Sequence, residues 1–130
     1  MKDLAALLKN LAPQVSEERW VFCVAPQVPE ALTRPPLMAF REEEGLTLVL
    51  PEAAAASLGL LASGVYRQIT LTVYSDLDAV GLTAAVSSAL ADAGISCNVV
   101  AAFHHDHLFV PEKDAQRALE LLERLSRGAR

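Results

Sequence analysis

One property of residues 64–125 limits the fold more than any other: the apolar period switches between two residues and about 3.6 in a fixed order. Ile69, Leu71 and Val73 alternate with Gln68, Thr70, Thr72 and Tyr74, the pattern of a strand with one buried face. Leu82, Val86 and Leu90 then recur every four residues beside Ala85, Ala89 and Ala93, and Gly94 closes that helix. Ser96 to Phe103 reads as a strand, His104-His105-Asp106 as a turn, and Leu108 to Val110 as the returning strand. Pro111 opens a last helix whose Ala115, Ala118, Leu119, Leu122 and Leu125 share one face.

This β-α-β-β-α order predicts an α+β fold of ferredoxin-like βαββαβ type, an antiparallel sheet with helices on one face. The first half carries a less regular version. Leu4, Leu7, Leu8 and Leu11 predict an amphipathic helix ending near Pro13, and Trp20 to Ala25 predicts a strand. Pro26, Pro29, Pro35 and Pro36 make the next stretch a loop. Leu37–Arg41 and Leu46–Leu50 form a hairpin around Glu42-Glu43-Glu44-Gly45, and Pro51 opens an alanine-rich helix.

Residues 48–61 can be laid on 108–121 at a spacing of 60, with Leu48/Leu108, Pro51/Pro111, Glu52/Glu112, Ala55/Ala115 and Leu61/Leu121 identical. Helix, strand, strand, strand ending in Pro-Glu, and helix occur in both halves, although the first lacks an opening strand and carries the proline-rich insertion. A degenerate tandem duplication explains this order. The alternative is that any two hairpins followed by helices look alike.

The most informative segment is Tyr74-Ser75-Asp76-Leu77-Asp78-Ala79-Val80-Gly81-Leu82. Ser75 and Asp78 are spaced like a capping box. A glycine within a first helical turn costs about 1 kcal/mol relative to alanine, so Gly81 calls for a reason. One is ligand approach: helix N–H groups attract a carboxylate, and Asp78 accepts from an ammonium. The other is structural, with Asp78 as a capping acid and Gly81 allowing tight helix–sheet packing.

Asp78-Ala79-Val80-Gly81-Leu82, after a strand and opening a helix, resembles the D-x-x-G-L/V signature of the ACT domain family. Val80 to Val86, Ala93 to Val100, and His104 to Pro111 look more specifically like the small stand-alone bacterial ACT proteins, which resemble two ACT-like units in tandem. The match covers residues 64–125; the first half matches by length and element order. The resemblance implies a degenerate ACT-like subdomain over 1–63 and an ACT domain over 64–130. It implies a small effector, usually an amino acid, bound between this loop and a neighbouring domain's sheet, and side-by-side association into a homodimer. The effector loop falls on Asp76, Leu77, Asp78, Val80, Gly81 and Leu82, and the second strand on Ser96, Cys97, Asn98 and Val99. Asn98, polar in an apolar strand, serves either as a ligand contact or as a hydrogen-bond partner for a neighbouring loop.

The remaining features narrow the function by exclusion. A net charge of −5 and the absence of a basic, aromatic-rich stretch argue against nucleic acid. No apolar run reaches the ~20 residues that span a bilayer, and no signal-peptide pattern opens the chain, so a cytoplasmic location is expected. Cys23 and Cys97 sit in apolar runs and read as buried, reduced thiols. His104, His105, Asp106 and His107 invite a metal reading, but strand alternation splits their faces, so an ordinary polar turn is favoured over a metal site or a pH-sensitive one. No nucleophile elbow, P-loop, dinucleotide fingerprint or C-x-x-C is present, which predicts a binding protein without catalytic residues, metal or cofactor. A structural interaction module without a ligand is the alternative.

Overall fold

A computed structural model describes residues 3–128. In chain order the elements are α1 (Leu4–Lys9), β1 (Pro13–Val15), β2 (Trp20–Ala25), β3 (Met38–Glu42), β4 (Gly45–Pro51), α2 (Glu52–Ser57), β5 (Tyr66–Leu71), α3 (Leu82–Asp92), β6 (Asn98–Ala101), β7 (Asp106–Pro111) and α4 (Ala115–Arg127), the last entered through a 3₁₀ turn at Glu112–Asp114. They form two compact units. One runs from Glu18 to Tyr66; the other combines the chain through Glu17 with the chain from Arg67 onward. This spatial division differs from the expected halves 1–63 and 64–130, because residues 3–17 pack with the C-terminal part.

The discontinuous unit has the strand order β1-β5-β7-β6. β1 pairs antiparallel with β5, Pro13 opposite Leu71 and Val15 opposite Ile69. The fourth strand of the βαββαβ pattern therefore comes from the N-terminal end of the chain. Proline 13, expected only to end a helix, opens that strand. Ala12, at φ +44°, makes the bend into it, and its carbonyl accepts from the Thr72 hydroxyl at 2.8 Å. A non-glycine residue in this left-handed region is strained by roughly 1–2 kcal/mol, so neighbouring contacts must hold it. They do: Leu7 and Leu11 are fully buried on either side of α1's end, in one core with Ile69, Leu71, Val86, Leu90, Leu108, Val110, Ala118 and Leu122. The Ser126 hydroxyl also donates to the Lys9 carbonyl at 3.1 Å.

The continuous unit is built the same way around a smaller core of Val21, Cys23, Ala25, Leu48, Leu50 and Ala55. β4 lies between β3 and β2, antiparallel to both. On the far side of β2, Tyr66 pairs with Trp20 and Ala62 bridges to Cys23. The proline-rich segment stands where a helix would follow the first strand, and its Leu32 packs against the core in place of helical side chains. Prolines remove the N–H donors a helix needs, so this cover is irregular.

The repeat holds in three dimensions up to a definable point. Pro51 and Pro111 adopt the same backbone, φ −55°, ψ 141° and φ −54°, ψ 140°. Leu48 and Leu108 are fully buried, and Ala55 and Ala115 are buried. The correspondence ends at Leu61, which is 79% exposed, against a half-buried Leu121.

Three boundaries differ from the sequence expectation. β5 stops at Leu71, although the alternation continues to Tyr74. β6 is four residues long, leaving Phe103 in the hairpin, and β7 takes in Asp106 and His107. The capping box at Ser75 and Asp78 is not used: α3 starts at Leu82, with Gly81 as its cap and no side-chain cap bond.

Candidate functional site

The loop from Thr72 to Gly81 leaves β5 and delivers the chain to α3. Its first residue is tied down by the Thr72–Ala12 bond, and an internal turn follows, with the Ala79 N–H donating to the Asp76 carbonyl at 3.0 Å. Gly81 has φ +97°, a conformation that L side chains rarely adopt. A Cβ there would meet Leu4 Cδ2 at 3.0 Å. The space beside Gly81 is thus filled by Leu4, and the glycine has a packing reason in addition to any ligand one. Leu82, which the resemblance places in the effector loop, is only 3% exposed and belongs to the core, so its side chain is not presented to a ligand. Leu77 and Val80 do, at 63% and 82% exposed. The first turn of α3 holds no acidic side chain. Its N–H groups and the helix dipole make an end suited to an anion.

The β6–β7 hairpin lies against this loop. The Ser75 N–H donates to the His104 carbonyl at 3.3 Å, and the hairpin closes with the Ala102 N–H on the His105 carbonyl at 3.0 Å. The His105 Nδ1–H donates to the Val73 carbonyl at 3.2 Å. Tyr74 packs on His105 with ring centroids 4.8 Å apart, and Phe103 meets His104 edge-on at 5.0 Å. Tyr74 and Phe103 are both largely exposed. This aromatic rim was not assigned from the sequence. The available signal was an aromatic residue at the end of each predicted strand, Tyr74 and Phe103, which period-two reading places inside the strands.

His107 points away from the core. Its Nδ1 lies 3.0 Å from both Gln68 Nε2 and Thr70 Oγ1. The amide NH₂ only donates, so Nδ1 accepts and the ring is neutral. Burial lowers the His107 pKa, the neighbouring His105 lowers it further, and Asp106 opposes both. Asp106 is itself buried at 7% exposure; burial raises its carboxyl pKa while His107 and His105 pull it down. Among the described residues no cluster of three or more His, Cys, Asp or Glu side chains is arranged to hold a metal ion. Cys23 and Cys97 are both free thiols, and burial pushes the Cys97 thiol up to about 11.

Asp76 and Asp78 sit exposed in the loop. Asn98 is exposed at the opposite end of β6 from the hairpin, paired with Phe109, while Cys97 and Val99 pack partly against the core. Asn98 and Ala101, the two ends of β6, are roughly 10 Å apart along the strand. Asn98 thus starts β6 at the end away from the hairpin that bonds the loop through Ser75.

Two sequence models described as the ACT domain match the chain in tandem, over residues 1–67 and 63–124. The chain belongs to the ACT domain family. No curated protein sequence matches this ACT protein. Among solved structures, one of a protein of unknown function from Vibrio cholerae, described as a possible transport protein, is 44% identical over 96% of this chain and 97% of its own, with TM-score 0.85. A protein from Agobacterium tumefaciens is 19% identical, covering 88% of this chain and 87% of its own, with TM-score 0.73. The regulatory subunit of aspartate kinase from Thermus flavus is 9% identical, covering 87% and 95%, with TM-score 0.59. The last two share the fold. Among the described residues no helix is long and apolar enough to cross a membrane.

Proposed function

We propose that this ACT protein is a non-catalytic regulatory or sensory protein of the cytoplasm that binds a small zwitterion, an amino acid, at the N-terminal end of α3. The observation that carries the reading is the entry to α3: a left-handed Gly81 cap, no side-chain cap bond and no acid in the first turn. Such an end receives a carboxylate. Asp78, exposed three residues earlier, accepts from the ammonium, and charge-assisted bonds are the stronger ones. Leu77 and Val80 supply apolar surface for a modest side chain. Asp76 flanks the site, and Val99 enters the reading with its strand neighbour Asn98. Because Asn98 starts β6 at the end away from the hairpin that bonds the loop, the reading has a second copy supply it, which makes the site part of a homodimer. The halves 1–63 and 64–130 record the duplication of the chain, and output passes through self-association or a partner.

The test is a thermal-shift screen of amino acids at millimolar concentration. Binding to the native state stabilises by about 2.7 kcal/mol at a hundredfold excess over Kd. For a chain of this size that is a shift of about 5–15 °C, reduced in Asp78→Ala. If no amino acid moves the native protein, the alternative of a ligand-free interaction module stands. The exposed rim of Tyr74, Leu77, Val80 and Phe103 favours that second reading.

A further inference from the structure

In the continuous unit a cavity of about 270 Å³ lies between the proline-rich strap and the β4–α2 junction, lined by Trp20, Leu32, Arg34, Leu37, Leu50 and Ala54 among others. It exists because the strap replaces a helix. Prolines 35 and 36 keep the strap from forming a helix, and only Leu32 reaches the core, so the space a helical face would fill stays partly open. The strap is pinned at its end, where the Leu37 N–H donates to the Val49 carbonyl at 3.0 Å. The lining side chains are apolar apart from Thr33, Arg34 and the indole of Trp20. The Arg34 guanidinium is exposed at the mouth and makes no hydrogen bond or ion pair among the described residues. Thr33 stands beside it. Trp20 is 8% exposed, and its Nε1–H is the one buried side-chain polar atom without a partner among the described residues. A buried donor left unpaired costs about 1–3 kcal/mol, and the Trp20 Nε1 is itself closed off from solvent while the residue forms part of the cavity wall.

We propose that this cavity is a second ligand site, for a small monocarboxylate with a branched or cyclic apolar body. The apolar lining takes the hydrocarbon. Arg34 holds the carboxylate through a fork that matches its two oxygens. The cavity favours an anion over a zwitterion, because no carboxylate lines it to receive an ammonium. The site is separate from the α3 loop and does not depend on it.

Trp20 is the only tryptophan in the chain, so its emission reports on the cavity directly. The full chain is titrated with 4-methylpentanoate and with the neutral isostere 4-methylpentanamide, in the native protein, Arg34→Gln and Asp78→Ala. The expected result is a saturable change of Trp20 emission with the carboxylate. It is at least about tenfold weaker with the amide or with Arg34→Gln, and unchanged in Asp78→Ala. No saturable change up to about 10 mM, equal affinity for acid and amide, or loss of the response in Asp78→Ala would each overturn the proposal.

Discussion

At the scale of single residues, Gly81 answers to two constraints at once. Its φ of +97° and the Leu4 methyl 3.0 Å from a would-be Cβ both oppose a side chain. Gly81→Val should therefore destabilise by roughly 1–3 kcal/mol, read from urea midpoints, whatever it does to binding. A variant as stable as the native chain would remove the strain argument. From the sequence, the glycine was placed inside the helix, where it costs only propensity; its positive φ depends on α1 approaching from the other end of the chain, which no local pattern encodes. His107 gives a pH dependence. Its pKa is lowered in the fold, so the native state binds this proton less readily than the unfolded chain. The stability it contributes is present above the unfolded value of 6.5 and is lost as pH falls through the lowered one. Asp106, with a raised pKa, acts oppositely: it destabilises the ionised native state and regains stability as pH falls through its raised value toward 3.8. His107→Asn keeps an acceptor for Gln68 and Thr70 without a titration. It should flatten the loss of stability between pH 7 and 5, measured by urea unfolding across pH, and an unchanged slope would exclude His107 as its source.

At the scale of elements, legibility followed periodicity. The strands and helices with a long regular face, α3 and α4 above all, were readable because burial on one side writes the period into the sequence. β1 was not, because three residues carry no period and its pairing with β5 spans more than fifty positions. The same limit hid the partnership of loop and hairpin, since the Ser75–His104 bond joins two segments read separately. The capping box failed for a related reason: Ser75 is engaged with the hairpin, so the helix begins only at Leu82. The interleaving has a measurable consequence. Leu7 and Leu11 complete the core of the C-terminal part, so Leu11→Ala should cost about 2–5 kcal/mol. A fragment of residues 64–130 should show weak, noncooperative unfolding by circular dichroism, because it lacks β1 and both leucines. A stable, cooperative fragment would mean that the N-terminal segment only decorates that unit.

At the scale of the whole molecule, the two family matches lie end to end along the sequence, while one compact unit takes elements from both ends of the chain. Duplication accounts for the first fact and strand exchange for the second; a unit that borrows its closing strand keeps β5 from being left as an exposed edge. The repeat survives where it builds core, at Leu48/Leu108 and Ala55/Ala115, and lapses at Leu61/Leu121, where burial no longer constrains the side chain. Of the candidate site, the loop from Asp78 to Gly81 was legible as the entry to a helix, the burial of Leu82 was not, and the place of Asn98 at the start of β6 depends on where the hairpin turns. The central claim is that the entry to α3 receives the carboxylate of a small amino acid. It is tested most directly by ¹H–¹⁵N NMR of the labelled full chain during titration with the amino acid that gives the largest thermal shift. Saturable shifts concentrated at the backbone N–H groups of Gly81 to Ala84 are expected. Saturable shifts confined to other residues, or no shifts with any amino acid at millimolar concentration, would contradict it.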